Sequence, residues 1–161
     1  MNANLVVRSA RGDADLPIAK VVEYKGHPVV HAFVYGKYQR HSIHAWGIRY
    51  PLLKWMDRHG VRQLYFWDNR EKVTYAIELE TVRLLGTPGE QDQYGGTLNV
   101  PKNDWERIEH KLTLMWVPDE HRIVLPQCTE PWSLPQRVQP SPAKSRPAET
   151  AKPLQASLFG D

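Results

Sequence analysis

The chain has 161 residues, a formal net charge of +3, 41% hydrophobic residues, six Trp and seven Tyr, enough for one core, since single domains cluster near ~100 to 150 residues. Cys128 is the only cysteine, which excludes an internal disulfide and a cysteine-built metal site and fits a reducing compartment. No window approaches the ~20 apolar residues of a membrane span, and the start, Met1 to Arg8, lacks the basic and long apolar regions of a signal peptide, so a soluble cytoplasmic protein is expected.

Residues 1–15 read as a first strand or loose arm followed by a turn at Arg11, Gly12 and Asp13. Leu16 to Tyr24 and Val29 to Tyr35 are apolar, β-branched and aromatic runs around Lys25, Gly26, His27 and Pro28, the pattern of a β-hairpin. Gly36 to Gly47 is a basic, ring-rich stretch with Lys37, Tyr38, Arg40, His41, His44 and Trp46. Pro51 then suits the first turn of a helix, where its missing N–H is not needed. Leu52, Leu53, Trp55, Met56 and His59 recur at helical spacing, and Gly60 closes the element.

Val61 to Trp67 and Val73 to Leu79 form the next pair of strands across a polar turn. In the second, Thr74, Ala76, Glu78 and Glu80 alternate with apolar residues, as in a sheet with one wet face. Thr81 to Leu85 reads as more strand or a short helical turn, Gly86 to Gly96 as a surface loop, and Thr97 to Val100 as a brief strand. Pro101 to Glu109 reads as a short helix capped by Asn103 or Asp104. Leu112, Leu114 and Trp116, then Ile123 to Leu125, read as a second clear hairpin.

From Pro126 the composition changes: prolines stand at 126, 131, 135, 140, 142, 147 and 153 among Ser, Gln, Ala, Lys and Arg. Such a segment buries too little apolar surface to offset its ordering entropy. The expected architecture is therefore α+β: a small antiparallel β-rich domain with one main helix over 1–128, a disordered Pro-rich linker over 129–154, and a terminal peptide over 155–161.

That peptide reads Gln155, Ala156, Ser157, Leu158, Phe159, Gly160, Asp161. It resembles the short motif by which many bacterial replication and repair proteins bind the DNA polymerase sliding clamp: Gln, a variable residue, Ser or Asp, Leu, then Phe or Leu. The resemblance implies that the Gln155 amide hydrogen-bonds in a small subsite, Ser157 makes a polar contact, and Leu158 and Phe159 fill an apolar pocket. Ala156 departs from the Leu often found second, which implies weaker binding. The motif spans five residues and says nothing about the body.

Within the body three chemistries suggest themselves. His27, His31, His41 and His44 gather ring nitrogens, but no cysteine or paired carboxylate completes a metal site, so neither metal nor cofactor is expected. Asp68, Glu78 and Glu80, on adjacent expected strands, loosely resemble the carboxylate core of restriction-type nucleases without its usual Lys. Lys37, Arg40, Arg49, Lys54, Arg58 and Arg62, with Trp46 and Tyr50 for stacking, form a candidate nucleic-acid surface. The expected function is a clamp-recruited replication or repair accessory protein, chromosomal, plasmid-borne or from a phage, more an adaptor than an enzyme. The alternatives are a clamp-tethered nuclease or a protein-binding module.

Overall fold

The computed structural model describes residues 2–12, 14–39, 42–68, 71–108, 117–118 and 120–132, with the backbone alone at 37–39 and 42–43. Strands β1 (Ala3–Arg8), β2 (Asp15–Tyr24) and β3 (His27–Ala32) open the chain, and β4 (Tyr35–Gln39) and β5 (Ser42–Arg49) follow. The β2–β3 turn puts Lys25 and Gly26 at φ +52° and +79°, the double positive φ of a turn whose twist matches the strands it joins. The expected hairpin is present. The basic stretch after it is also strand: β4 and β5 pair antiparallel from Tyr35↔Gly47 to Gln39↔Ser42.

Strand β5 runs straight into helix α1 (Tyr50–Arg58), with Pro51 in its first turn. Its far end closes as the sequence implies. Gly60 sits at φ +69°, its N–H reaching Asp57 O at 3.3 Å while Val61 N–H reaches Met56 O at 2.9 Å. This pair of bonds satisfies carbonyls that the last turn would otherwise leave open. The face carrying Leu52, Leu53, Trp55 and Met56 is buried, and the opposite side carries Lys54 and Arg58.

Strands β6 (Gln63–Asp68) and β7 (Val73–Glu78), the pair expected across a polar turn, are antiparallel neighbours, then α2 (Leu79–Leu85) begins at once. Leu79 and Val82, one turn apart, are its buried residues, and the helix-forming Leu, Glu and Arg around them explain why the chain coils here. Glu80 therefore leaves the strand. Thr74 and Ala76, expected on a wet face, are buried. Strand β7 is interior, and the register sets Trp67 beside Thr74 and Tyr65 beside Ala76, so large neighbours cover small residues.

The expected 86–96 loop is half of another hairpin, β8 (Thr87–Asp92) with β9 (Gly95–Pro101). β8 lies at a sheet edge, where Pro88 costs no ladder bond and its polar residues face solvent. The expected 101–109 helix is one 3-10 turn, Lys102–Asp104, and then β10 (Glu106–Ile108). Trp105 between them is buried, and β10 pairs with β7, which outweighs the cap signal at Asn103. β11 (Arg122–Leu125) pairs parallel with β1; its expected hairpin partner, 112–116, lies outside the described residues.

The strand order is β10-β7-β6-β3-β2-β1-β11 in one sheet and β4-β5-β9-β8 in the other. Leu5, Val21, Val30, Leu64 and Ile77 of the first join Ile48, Leu98 and Val100 of the second and α1 in a single core. The α+β class is as expected, mostly strand with two short α-helices among the described residues. No helix among the described residues is long and apolar enough to cross a membrane.

On the other face of the large sheet His31 is 3% exposed, stacked on Tyr65 with ring centroids 6.0 Å apart. Its Nδ1 has no hydrogen-bond partner, and burial pushes its pKa down from 6.5 to about 4. The folded state refuses a proton that the unfolded chain accepts below 6.5, so its stability is complete above that pH and is lost as pH falls toward 4. That gap corresponds to roughly 3 kcal/mol. His31→Leu is predicted to flatten the slope of urea stability between pH 7 and 4; an unchanged slope contradicts a buried neutral His31.

Candidate functional site

The residues expected to contact nucleic acid divide into engaged, buried and exposed. The Arg49 side chain is 6% exposed and clamps Asp92 with both amino groups, at 2.7 and 2.8 Å. Its guanidinium also lies 5.1 Å from the Tyr35 ring centre and 5.8 Å from that of Tyr94. Burial is the largest single influence and opposes its charge, but the Asp92 and Tyr35 contacts together outweigh it and its pKa is raised. Lys54 points to Cys128 Sγ at 3.0 Å and Glu130 at 3.7 Å; the Cys128 contact is the main cause of its raised pKa.

Arg62 is 3.6 Å from Glu80. Arg58 is exposed in the last turn of α1, where a cation suits the helix dipole. Arg40 and the Lys37 side chain lie outside the described residues. Trp46 and Tyr50, the expected stacking rings, are buried: Trp46 meets Phe66 at 4.6 Å between ring centres. They belong to the core.

The three carboxylates do not converge. Asp68 pairs with Val73 and Glu78 with Gln63, at opposite ends of the β6–β7 hairpin, roughly 17 Å apart at ~3.4 Å per residue. Asp68 turns the chain: its Oδ1 accepts the Glu71 N–H at 3.1 Å. Glu80, on α2, accepts from Arg83 at 3.1 Å. Among the described residues no three His, Cys, Asp or Glu side chains gather as a metal site would require. Of the histidines, His31 is buried, His27 and His44 are exposed, and His41 lies outside the described residues.

What the structure does bring together is a strap that the sequence assigned to the linker. After β11 the chain crosses β9 at Cys128, whose carbonyl accepts the Gly96 N–H at 2.8 Å. It then reaches Trp132, 7% exposed and part of the core. Trp132 Nε1 donates to Asp57 Oδ2 at 2.7 Å, the other Asp57 oxygen accepts from Arg83, and the Arg83 guanidinium lies 4.7 Å from the Trp132 ring centre. The packed residues thus continue past 128, at least as far as Trp132. A lone Trp among prolines was the available sign of this anchor; Asp57 and Arg83 gave none, because their partners lie far along the chain.

The terminal residues Gln155, Ser157, Leu158 and Phe159 lie outside the described residues. Compared with models of known families, with curated proteins and with solved structures, the chain gives no match.

The strap depends on two glycines. A Cβ at Gly95, which sits at φ +101°, would fall 2.3 Å from the Cys128 carbonyl oxygen, and one at Gly96 would fall 2.5 Å from Cε2 of Tyr50. Gly12 also has a positive φ, +74°, but faces open space. Gly12→Ala is predicted to cost about 1 kcal/mol for its backbone alone, and Gly95→Ala at least about 2 kcal/mol, since strain and displacement of the strap add. Urea midpoints of the two variants check this; equal losses contradict a strap seated on Gly95.

Proposed function

We propose that this protein is an accessory factor of DNA replication or repair, recruited to the bacterial sliding clamp by the peptide Gln155-Ala156-Ser157-Leu158-Phe159. The observation that carries this reading is the motif itself, standing beyond a Pro-rich stretch whose composition offers little competing apolar surface. Gln155 supplies the amide hydrogen bonds, Ser157 a polar contact, and Leu158 and Phe159 the apolar anchors. Burying those two side chains yields ~1.5 to 3 kcal/mol each, which with a few hydrogen bonds supports a contact of roughly 8 kcal/mol, in the micromolar class.

The body supports an adaptor better than an enzyme. Asp68 and Glu78 stand at opposite ends of one hairpin, and the basic residues Arg49, Lys54 and Arg62 are matched by Asp92, Glu130 and Glu80. The Pro-rich composition before Gln155 suits a tether, and about 22 residues of polyproline-like chain reach on the order of 70 Å. A short contact on such a tether holds the body near the clamp at a high local concentration.

The test is binding of the full chain to a bacterial sliding clamp beside a variant with Gln155, Leu158 and Phe159 all changed to Ala. The intact chain should bind with a Kd on the order of micromolar, and the triple variant should lose at least about ten-fold. Equal binding by both, or by neither, overturns the proposal.

A further inference from the structure

The outer face of β1, β2 and β11 carries a groove of about 540 Å³ whose origin is a slip in the sheet. Leu5 pairs with Ala19 but Val6 pairs with Pro17, so Ile18 is an extra residue in β2 and is buried. Such a bulge bends its strand and breaks the flat surface. Val6, Pro17 and Phe33 give the groove an apolar floor, while Asn4, Lys20 and Arg122 also line it. Phe33 is 39% exposed and Val124 is 43% exposed. Val124 is the register partner of Val6 and so lies on the same face, extending the apolar surface across β11.

The charges here do not cancel. Asp15 accepts from Arg8 at 3.2 Å and from Arg122, and these contacts, the Arg8 bond first, hold its carboxyl below the usual range. Lys20 reaches the groove with no acidic partner among the described residues, so of the described residues that line it two cations, Lys20 and Arg122, face one anion, Asp15. Asn4 is fixed by donating from Nδ2 to Val117 O at 3.4 Å and Pro118 O at 3.2 Å. Its Oδ1 is buried and receives no donor, an unmet acceptor where burial makes unpaired polar atoms costly.

We propose that this groove is a docking site for an extended peptide segment of a partner protein in which apolar side chains alternate with carboxylates. Alternation puts every second side chain on one side of an extended chain, so apolar residues rest on Val6, Pro17 and Phe33 while the carboxylates face outward, where the long Lys20 and Arg122 side chains reach up to them. From Phe33 across β2 and β1 to β11 the surface spans roughly 14 Å at ~4.8 Å per strand, the length of about four extended residues. Nucleic acid fits the groove less well, because its floor is largely aliphatic and the Asp15 carboxylate stands in its wall. The site is independent of the terminal peptide: the tail delivers the protein, and the groove holds what is delivered.

The test uses the full chain, isotope-labelled for NMR, and the blocked tetrapeptide acetyl-Leu-Glu-Phe-Glu-amide as probe. Saturable shifts are expected at Asn4, Val6, Lys20, Phe33 and Arg122, with a Kd of roughly hundreds of micromolar for so short a probe. The Gln-for-Glu analogue of the probe, and separately Lys20→Glu, should each weaken binding about five-fold or more. Phe33→Ser should do the same through the floor, and an otherwise unchanged spectrum shows that each variant stays folded. A chain with Gln155, Leu158 and Phe159 changed to Ala should bind the probe as the intact chain does. The proposal is overturned by absent shifts in the groove, by equal response to the neutral analogue or to Lys20→Glu, by displacement with oligothymidylate, or by loss of binding in the tail variant.

Discussion

Tyr50 stands where β5 turns into α1, its ring buried against Gly96, and the rest of the body is arranged around that contact. On one side the helix carries Leu52, Leu53 and Met56 into the core. On the other, Gly95 and Gly96 let the backbone of residue 128 lie directly on β9. A side chain at Gly95 would push the strap off the sheet, and one at Gly96 would push against the Tyr50 ring. Two adjacent absent Cβ atoms thus tie together the small sheet, the helix and the last described segment.

Local rules made part of this fold legible. Pro51 and Gly60 bracket α1, and the Lys25-Gly26 turn and the apolar runs around it give β2 and β3, because these signals act within a few residues. Elements missed from the sequence were those settled by distant partners. β8 is polar and contains Pro88, yet it pairs because β9 offers an open edge. Asn103 and Asp104 look like helix caps, yet burial of Trp105 and pairing of β10 with β7 override them. Trp132 was hidden by the composition around it.

Some of the basic residues are engaged within the fold for a related reason. Arg49 and Asp92 lie 43 residues apart, and Lys54 and Cys128 lie 74 apart, so composition counts as exposed cations groups that are matched within the fold. Opposite charges that share a buried or half-buried site are held by hydrogen bonds as well as Coulomb attraction, and they offer less to a phosphate backbone than free lysines would. The candidate carboxylates were misplaced by the same blindness to tertiary context: β7 stops at Glu78 and α2 takes Glu80 away from it.

We propose a body that packs at least through Trp132 and a terminal peptide that docks on the clamp. Hydrogen exchange of the full chain, with and without a bacterial sliding clamp, tests that division most directly, since it reads every segment in one experiment. The account predicts slowed exchange over Gln155 to Phe159 on adding the clamp, with the core strands β3 and β6 unchanged. Protection spread over the body with no change at Gln155 to Phe159 would contradict it.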